Sequence, residues 1–300
     1  MASAASSASQ PSTPGLSGAS SGELAFRVEG LQRRFRTGLL LRPKDALRGI
    51  DLDLTRGRTL GLVGPNGSGK TTLMRILAGV ERATAGELEV LGGHPRERSV
   101  RARSAWLPSD APFPAELNAH ANLDLLGALS GMPRARVRER GANLLQQVGL
   151  TEHAHRPLRT YSSGMLRRFA LAQAFLTDPD LVLLDEPTAG LDAQGFEVLE
   201  DLVQEARARG ATLVIASHLL SDVHAHCEEL AVLLDGRVAL AGSPDELLGD
   251  ADRREIVVEG LDDAALERLG AWAVQQGGRI VDHRPGGRTL LDLYRAGRAS

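Results

Sequence analysis

Residues Gly64-Pro65-Asn66-Gly67-Ser68-Gly69-Lys70-Thr71 have the composition of a phosphate cradle. They satisfy the pattern G-x-x-x-x-G-K-[ST]. Gly64, Gly67 and Gly69 permit positive φ and a close approach of backbone to an anion. The N–H groups of such a loop converge on phosphate oxygens, and a helix N-terminus behind it adds partial positive charge. Lys70 would reach the β- and γ-phosphates of ATP, Thr71 would ligate Mg²⁺, and Thr72 closes the loop. A second chemical group lies downstream. Asp185 and Glu186 end the apolar run Leu181-Val182-Leu183-Leu184 and precede Pro187. Asp185 is placed to hold Mg²⁺ through water, and Glu186 to orient or deprotonate an attacking water. The competing reading of this pair is a strand leaving the core with solvated acids.

Both groups need elements that position them. Arg58 to Val63 is a short apolar run of buried-strand type, and Thr72 to Ala78 has helical apolar spacing. The run 181–185 reads as a parallel strand buried on both faces. In open α/β sheets ligands sit at the carboxyl ends of strands, where both motifs fall.

Four further segments appear in an order that resembles the ABC ATPases. Tyr161-Ser162-Ser163-Gly164-Met165 is similar to their signature sequence. Ala189-Gly190-Leu191-Asp192 is similar to the loop that crosses their dimer interface. Ala216-Ser217-His218 follows the apolar run 211–215 and resembles their switch histidine. Phe35, within Arg33-Arg34-Phe35-Arg36, sits where these proteins often carry an aromatic that stacks on adenine. The resemblance spans residues 24–245. It implies that Ser162 and Gly164 contact the γ-phosphate of ATP held by an opposing subunit. It implies further that His218 bonds the γ-phosphate in its own subunit and that Asp192 couples the two sites. Read from the residues alone, Phe35 is equally a strand aromatic packed in a small sheet, and Tyr161 either core or interface.

One position departs from the family pattern. A Gln, sometimes Glu, usually follows the pair that reads Leu107-Pro108 here, and it touches Mg²⁺ and senses the membrane partner. This chain has Ser109, then Asp110. Ser109 is too short to reach a metal except through water, and Asp110 would add negative charge beside the phosphates. The expectation is altered coupling with ATPase activity retained.

The rest of the chain sets bounds. Its 300 residues can bury one sizeable core with small additions. A net charge of −3 gives no sign of nucleic-acid binding. One cysteine, Cys227, allows no internal disulfide and points to a reducing compartment. His224, His226 and Cys227 resemble a metal cluster only superficially. Arg134, Arg136, Arg138 and Arg140 read as a solvated helix face. Residues 1–22, rich in Ala, Ser, Pro and Gly, read as a disordered tail without the basic start or apolar centre of a secretory signal. No apolar run reaches the roughly 20 residues that span a bilayer.

The expected fold is α/β. It comprises a P-loop NTPase (RecA-like) core, an antiparallel β subdomain over Phe26–Thr55, and a helical subdomain over about 116–174 that carries the signature. A small C-terminal α+β extension completes it. Leu123, Leu125, Leu126 and Leu129 should form one apolar stripe of the helical part, and Leu144, Leu145 and Val148 another. The domains are then a tail at 1–22, an ATP-binding domain at 24–248 and an accessory unit at 254–300. In that unit 256–258, 279–281 and 289–294 read as extended or strand-like and 262–274 as helical. The resemblance implies an ATP- and Mg²⁺-dependent ATPase subunit of a type-2 exporter. Its partners would be a separate membrane permease and a second ATP-binding subunit, identical or different. Its place would be cytoplasmic, on the inner face of the cell membrane. The alternatives are an importer ATPase or a soluble ABC ATPase acting on nucleic-acid or ribosomal assemblies. A P-loop kinase or GTPase would leave the signature segments unexplained.

Overall fold

The computed structural model describes residues 23–37, 42–218, 227–248 and 262–275. The chain divides into two compact units, Met1–Leu248 and Gly249–Ser300.

The first unit is built on two sheets. Strands β1 (Leu24–Thr37), β2 (Arg42–Thr55) and β4 (Ala85–Val90) form an antiparallel sheet in the order β2-β1-β4. The alternating segments expected over Phe26–Thr55 are thus two long strands. The larger sheet contains β3 (Thr59–Val63), β5 (Ser104–Leu107), β6 (Leu181–Asp185), β7 (Thr212–Ser217), β8 (Glu229–Leu234) and β9 (Arg237–Gly242). Its order is β5-β6-β7-β3-β8-β9, parallel except for β9.

The apolar runs noted in the sequence are explained by burial on both faces. Successive side chains of a strand alternate between faces. Leu181 and Leu183 of β6 join a core with Leu60, Leu62, helix α1 (Lys70–Leu77) and the small sheet. Val182 and Leu184 join the opposite core, with Leu213, Ile215 and the helices. Each face has its own cover, so no position in the strand is left for a polar residue until Asp185.

The opposite core is helical. After the short α2 (Arg98–Arg101) come α3 (Ala119–Leu129), α4 (Arg134–Gln147), α5 (Ser163–Ala174) and α6 (Ala193–Ala208). Leu144, Leu145 and Val148 are buried as the spacing predicts. The stripe on α3 is only partly core. Leu123 is buried and Leu126 packs beside it, but Leu125 is 42% and Leu129 76% exposed. The reason is helical geometry: 123 and 126 share one face, while 125 and 129 form a ridge about a third of a turn away. The arginine run also divides. Arg134, Arg136 and Arg138 are exposed, whereas Arg140 is partly buried, 2.8 Å from Glu205 and 3.1 Å from Asp178. Helix α7 (Pro244–Leu248) closes the described part of this unit.

In the second unit α8 (Asp263–Gln275) is described, capped by Asp262, whose carboxylate accepts from the Ala265 N–H. The extended segments expected at 256–258, 279–281 and 289–294, the tail at 1–22, and His224 and His226 lie outside the described residues. Cys227 is buried, and burial pushes its thiol up to about 12. No described helix is long and apolar enough to cross a membrane.

Candidate active site

Strands β6, β7 and β3 are neighbours in the parallel sheet, so their carboxyl ends deliver Asp185 with Glu186, His218 and the loop 64–69 side by side. The loop turns tightly between β3 and α1. A Cβ on Gly64 would run into the Leu233 carbonyl. Gly69 has φ +113°, and a Cβ there would lie 2.8 Å from the Ala46 carbonyl. Only glycine fits either place. The β8–β9 turn braces the loop: the Gly236 N–H donates to the Ser68 carbonyl, and the Arg48 N–H to the Gly236 carbonyl. Pro65, Asn66 and Gly67 form an exposed rim, while Ser68 is buried with its hydroxyl unpartnered.

Helix α1 begins at Lys70 with no side-chain cap, so its first-turn N–H groups face the loop. Thr71 and Thr72 lie partly exposed in that turn. Lys70, 5% exposed, folds back over its own loop. Its ammonium donates to the Gly64 carbonyl at 2.6 Å and the Pro65 carbonyl at 3.4 Å, and lies 3.8 Å from Glu186 Oε1.

The Asp185 side chain is completely buried, and both carboxylate oxygens lack a hydrogen-bond partner. Burial pushes its carboxyl above the ordinary range; the nearby Thr71 hydroxyl opposes that shift and Glu186 adds to it. A buried, unpartnered carboxylate calls for a cation or a donor. Together with the Thr71 hydroxyl it offers the hard oxygen donors that suit Mg²⁺.

Glu186 stands in left-handed backbone, φ +49°, which costs a non-glycine residue about 1–2 kcal/mol. The N–H of Glu186 donates to the Ala216 carbonyl at 2.8 Å. Its Oε2 lies 2.8 Å from His218 Nδ1, and His218 itself is half-exposed. Lys70, Glu186 and His218 therefore form one row across three strand ends.

A second cluster gathers at helix N-termini. Ser162 caps α5, its hydroxyl accepting from the Met165 N–H at 3.2 Å. Asp192 caps α6, accepting from the Gly195 N–H at 2.8 Å. A Cβ on Gly164 would sit 3.2 Å from Asp192 Oδ2, so the first turn of α5 lies beside the cap of α6. Arg168 Nε lies 3.7 Å from the same carboxylate.

Phe35 sits partly buried in β1 opposite Lys44 of β2, two pairs beyond Arg33–Leu47 across a register shift. Leu47, on the same pair of strands, packs over Gly69. The guanidinium of Arg33 stacks over the Phe35 ring at 4.4 Å and pairs with Glu81 at 2.8 Å. Tyr161 is a core residue whose hydroxyl donates to the His153 carbonyl.

With this geometry known, the chain can be set beside known proteins. The family model described as ABC transporter matches residues 47–189, from the strand above the phosphate loop to the start of the Ala189–Asp192 segment. A daunorubicin resistance ATP-binding protein of Streptomyces coeruleorubidus is 36% identical over 79% of this chain and 74% of its own length. The chain belongs to the ABC transporter ATP-binding proteins. A Nod factor export ATP-binding protein of Ralstonia nicotianae is 32% identical over 80% of this chain and 72% of its own. A dimeric ATP-binding cassette in a post-hydrolysis state, bound to ADP and Pi, shares the fold. It has a TM-score of 0.66 at 23% identity and covers 73% of this chain and 98% of that one. The expected α/β P-loop architecture is therefore that of this ABC cassette, and the family is one of ATPases.

Arg167 belongs to none of the motifs read from the sequence. It is 8% exposed, and its guanidinium reaches five backbone carbonyls. They are Pro108 at 3.1 Å, Ser109 at 3.2 Å, Asp185 at 3.3 Å, Glu186 at 2.5 Å and Pro187 at 3.3 Å. Burial lowers its pKa, and the charges of Asp185 and Glu186 partly restore it. The signal was present: Arg167 and Arg168 interrupt an otherwise apolar stretch of α5. Ser109 contributes its carbonyl to this contact while the residue itself is exposed, as is Asp110.

Proposed function

We propose that this ABC ATP-binding chain hydrolyses ATP at a site shared by two subunits and thereby drives a separate membrane permease of an export system. The observation that carries the reading is the row at the strand ends. A phosphate loop, a buried carboxylate without a partner and a Glu–His pair stand together there. ATP phosphates would take over Lys70 from the carbonyls of Gly64 and Pro65. The N–H groups of 66–72 would cradle them, and Phe35 would flank the adenine. Thr71 and Asp185 would hold Mg²⁺, which when bound neutralises charge between the β- and γ-phosphates. Glu186 would orient or deprotonate the attacking water. His218, already against Glu186, would steady that carboxylate and reach the γ-phosphate. Ser109 would touch the metal only through water.

The other half of the site would come from a second subunit. Ser162 and Gly164, exposed or partly exposed at the α5 N-terminus, offer donors and a dipole suited to a γ-phosphate. They serve nothing in their own phosphate loop. Asp192, beside the first turn of α5, would tie the two halves together. The dimeric relative supports pairing of such cassettes, and the relative named for Nod factor export supports the export role. ATP that binds fully only to the closed pair would shift the population toward closure, and hydrolysis would release it. The working place would be the inner face of the membrane, against the permease.

The test has two arms. Phosphate release per subunit from the purified chain with MgATP should rise with subunit concentration and stop on addition of a chelator. A rate per subunit that stays constant on dilution contradicts a shared site. Coexpression should bring the chain to membranes with a polytopic partner; a chain that purifies with nucleic acid instead contradicts the transport role.

A further inference from the structure

We propose that Arg167 is the positioning residue that joins the signature helix to the hydrolytic carboxylate and to the loop at Ser109. This rests on the shared-site reading above. Strands β5 and β6 are adjacent and parallel, and each ends in a loop: Pro108-Ser109 and Glu186-Pro187. Ser109 is short and exposed and the Glu186 side chain is turned to His218, so neither of these side chains ties the two loops together. Arg167 comes from a third element, α5, and enters between them. One nitrogen, Nη1, donates to Pro108 and Ser109; the other two donate to Asp185, Glu186 and Pro187.

A planar guanidinium has five donors in a fixed fork, so five carbonyls from two loops specify its place completely. Among the described residues no carboxylate lies within ion-pair distance of Arg167, so its charge is answered chiefly by carbonyl dipoles, helped by the more distant charges of Asp185 and Glu186. That is a costly way to bury a cation unless every donor is used. The contact also falls on the peptide of Glu186, the residue held in left-handed backbone. Arg167 grips the Glu186 carbonyl, while the Ala216 carbonyl grips its N–H. The direction of the Glu186 side chain toward His218 follows from those two grips.

The same helix begins at Ser162, the cap proposed to meet the partner's nucleotide. Arg167 follows Gly164 by less than one turn of helix, at 3.6 residues per turn. A displacement of the α5 N-terminus is thus passed through rigid helix to the carboxylate of the same subunit and to the 108–109 loop. The link that a long side chain at 109 would supply is made here from the helix side.

The experiment compares the full chain with Arg167→Met and Arg167→Lys. It reads steady-state turnover and KM with MgATP, together with amide hydrogen exchange. Misplacing a reacting group by about 1 Å costs on the order of a hundredfold. Arg167→Met should therefore lose about that factor in kcat and leave KM within about twofold, because Arg167 touches no phosphate-loop atom. Arg167→Lys keeps the charge but cannot span both loops, and should recover only part of the loss. Exchange should quicken in peptides covering 108–110 and 186–189 and stay unchanged in β3 and α1. A Lys variant with wild-type kcat, or a Met variant that loses kcat and affinity together with exchange quickened throughout the domain, overturns the proposal. If Met prevents folding, the Lys variant decides alone. A wild-type chain that turns over no ATP refutes the shared-site reading, while the exchange pattern still decides whether Arg167 links the loops.

Discussion

The phosphate-loop cluster and the signature cluster are built on opposite principles. The first is closed on itself, incompletely satisfied and strained. Lys70 spends its donors on its own loop, Glu186 sits in left-handed backbone against His218, and Asp185 is buried without a partner. The second is unstrained and open. Ser162 caps its helix by a single bond from an exposed position, and Asp192 caps the next. A site that must release its own contacts to take a ligand binds that ligand by exchange. A capped helix end has nothing to release and waits for an anion from elsewhere. On the shared-site reading proposed above, the difference would explain how one chain can carry both motifs without their serving each other.

Substitutions in the two clusters should therefore fail in different ways. The largest effect is expected at the row of strand ends. His218→Ala leaves Glu186 without its orienting partner, and loss of a general acid–base contact costs about 10²–10⁴ in kcat. Nucleotide affinity of the isolated subunit should hardly change. Lys70→Met should weaken that affinity by roughly ten- to a hundredfold, as expected for a hydrogen bond to a charged group worth about 1.5–3 kcal/mol. By contrast, Ser162→Ala should leave the isolated subunit's affinity intact and lower turnover only, with a loss of about 1 kcal/mol of stability from the missing cap. Equilibrium binding of nucleotide to dilute subunits, set beside turnover, separates the two patterns. A Ser162→Ala chain with weakened binding as a monomer would erase the distinction.

A smaller effect concerns stability. Asp185→Asn removes a buried charge, whose unsatisfied burial costs about 1–3 kcal/mol. The nucleotide-free variant should melt higher than wild type by roughly 2–4 °C per kcal/mol while losing activity. The pH dependence has a definite sign. The Asp185 carboxyl binds its proton more tightly folded than unfolded, since burial raises its pKa. Its destabilising effect is therefore full above the raised folded value and fades as pH falls toward 3.8. The melting advantage of Asp185→Asn should shrink on acidification; an advantage that grows would contradict the assigned burial. The smallest effect is expected at Phe35→Ala, a few-fold rise in KM for ATP if Phe35 flanks the adenine as proposed, because the Arg33 guanidinium that stacks on the ring would remain.

Much of this was legible in the residues because the relevant signals are local. A glycine loop between a strand and a helix, and an acid pair ending an apolar run, each report their own surroundings. Strand β6 could be read as doubly buried because both faces demand apolar side chains. Tertiary features were not legible. That Leu125 and Leu129 lie outside the core depends on which face of α3 meets α4 and α5. Arg140 reads as one of four solvated arginines until Glu205 and Asp178 are brought to it from distant segments. Arg167 was missed for the same reason: its five partners are backbone carbonyls, and a carbonyl has no letter in the sequence.

The most direct test of the account is the mass of Glu186→Gln with and without MgATP. The substitution should keep the cradle, the metal oxygens and the signature, and stop hydrolysis. Light scattering should then give twice the 31.9 kDa chain mass with MgATP and a single chain mass without it. A second substitution, Gly164→Arg, should return the protein to single chains, because it occupies the place of the partner's γ-phosphate. Glu186→Gln that binds MgATP and stays at 31.9 kDa at every concentration would contradict a site made by two subunits.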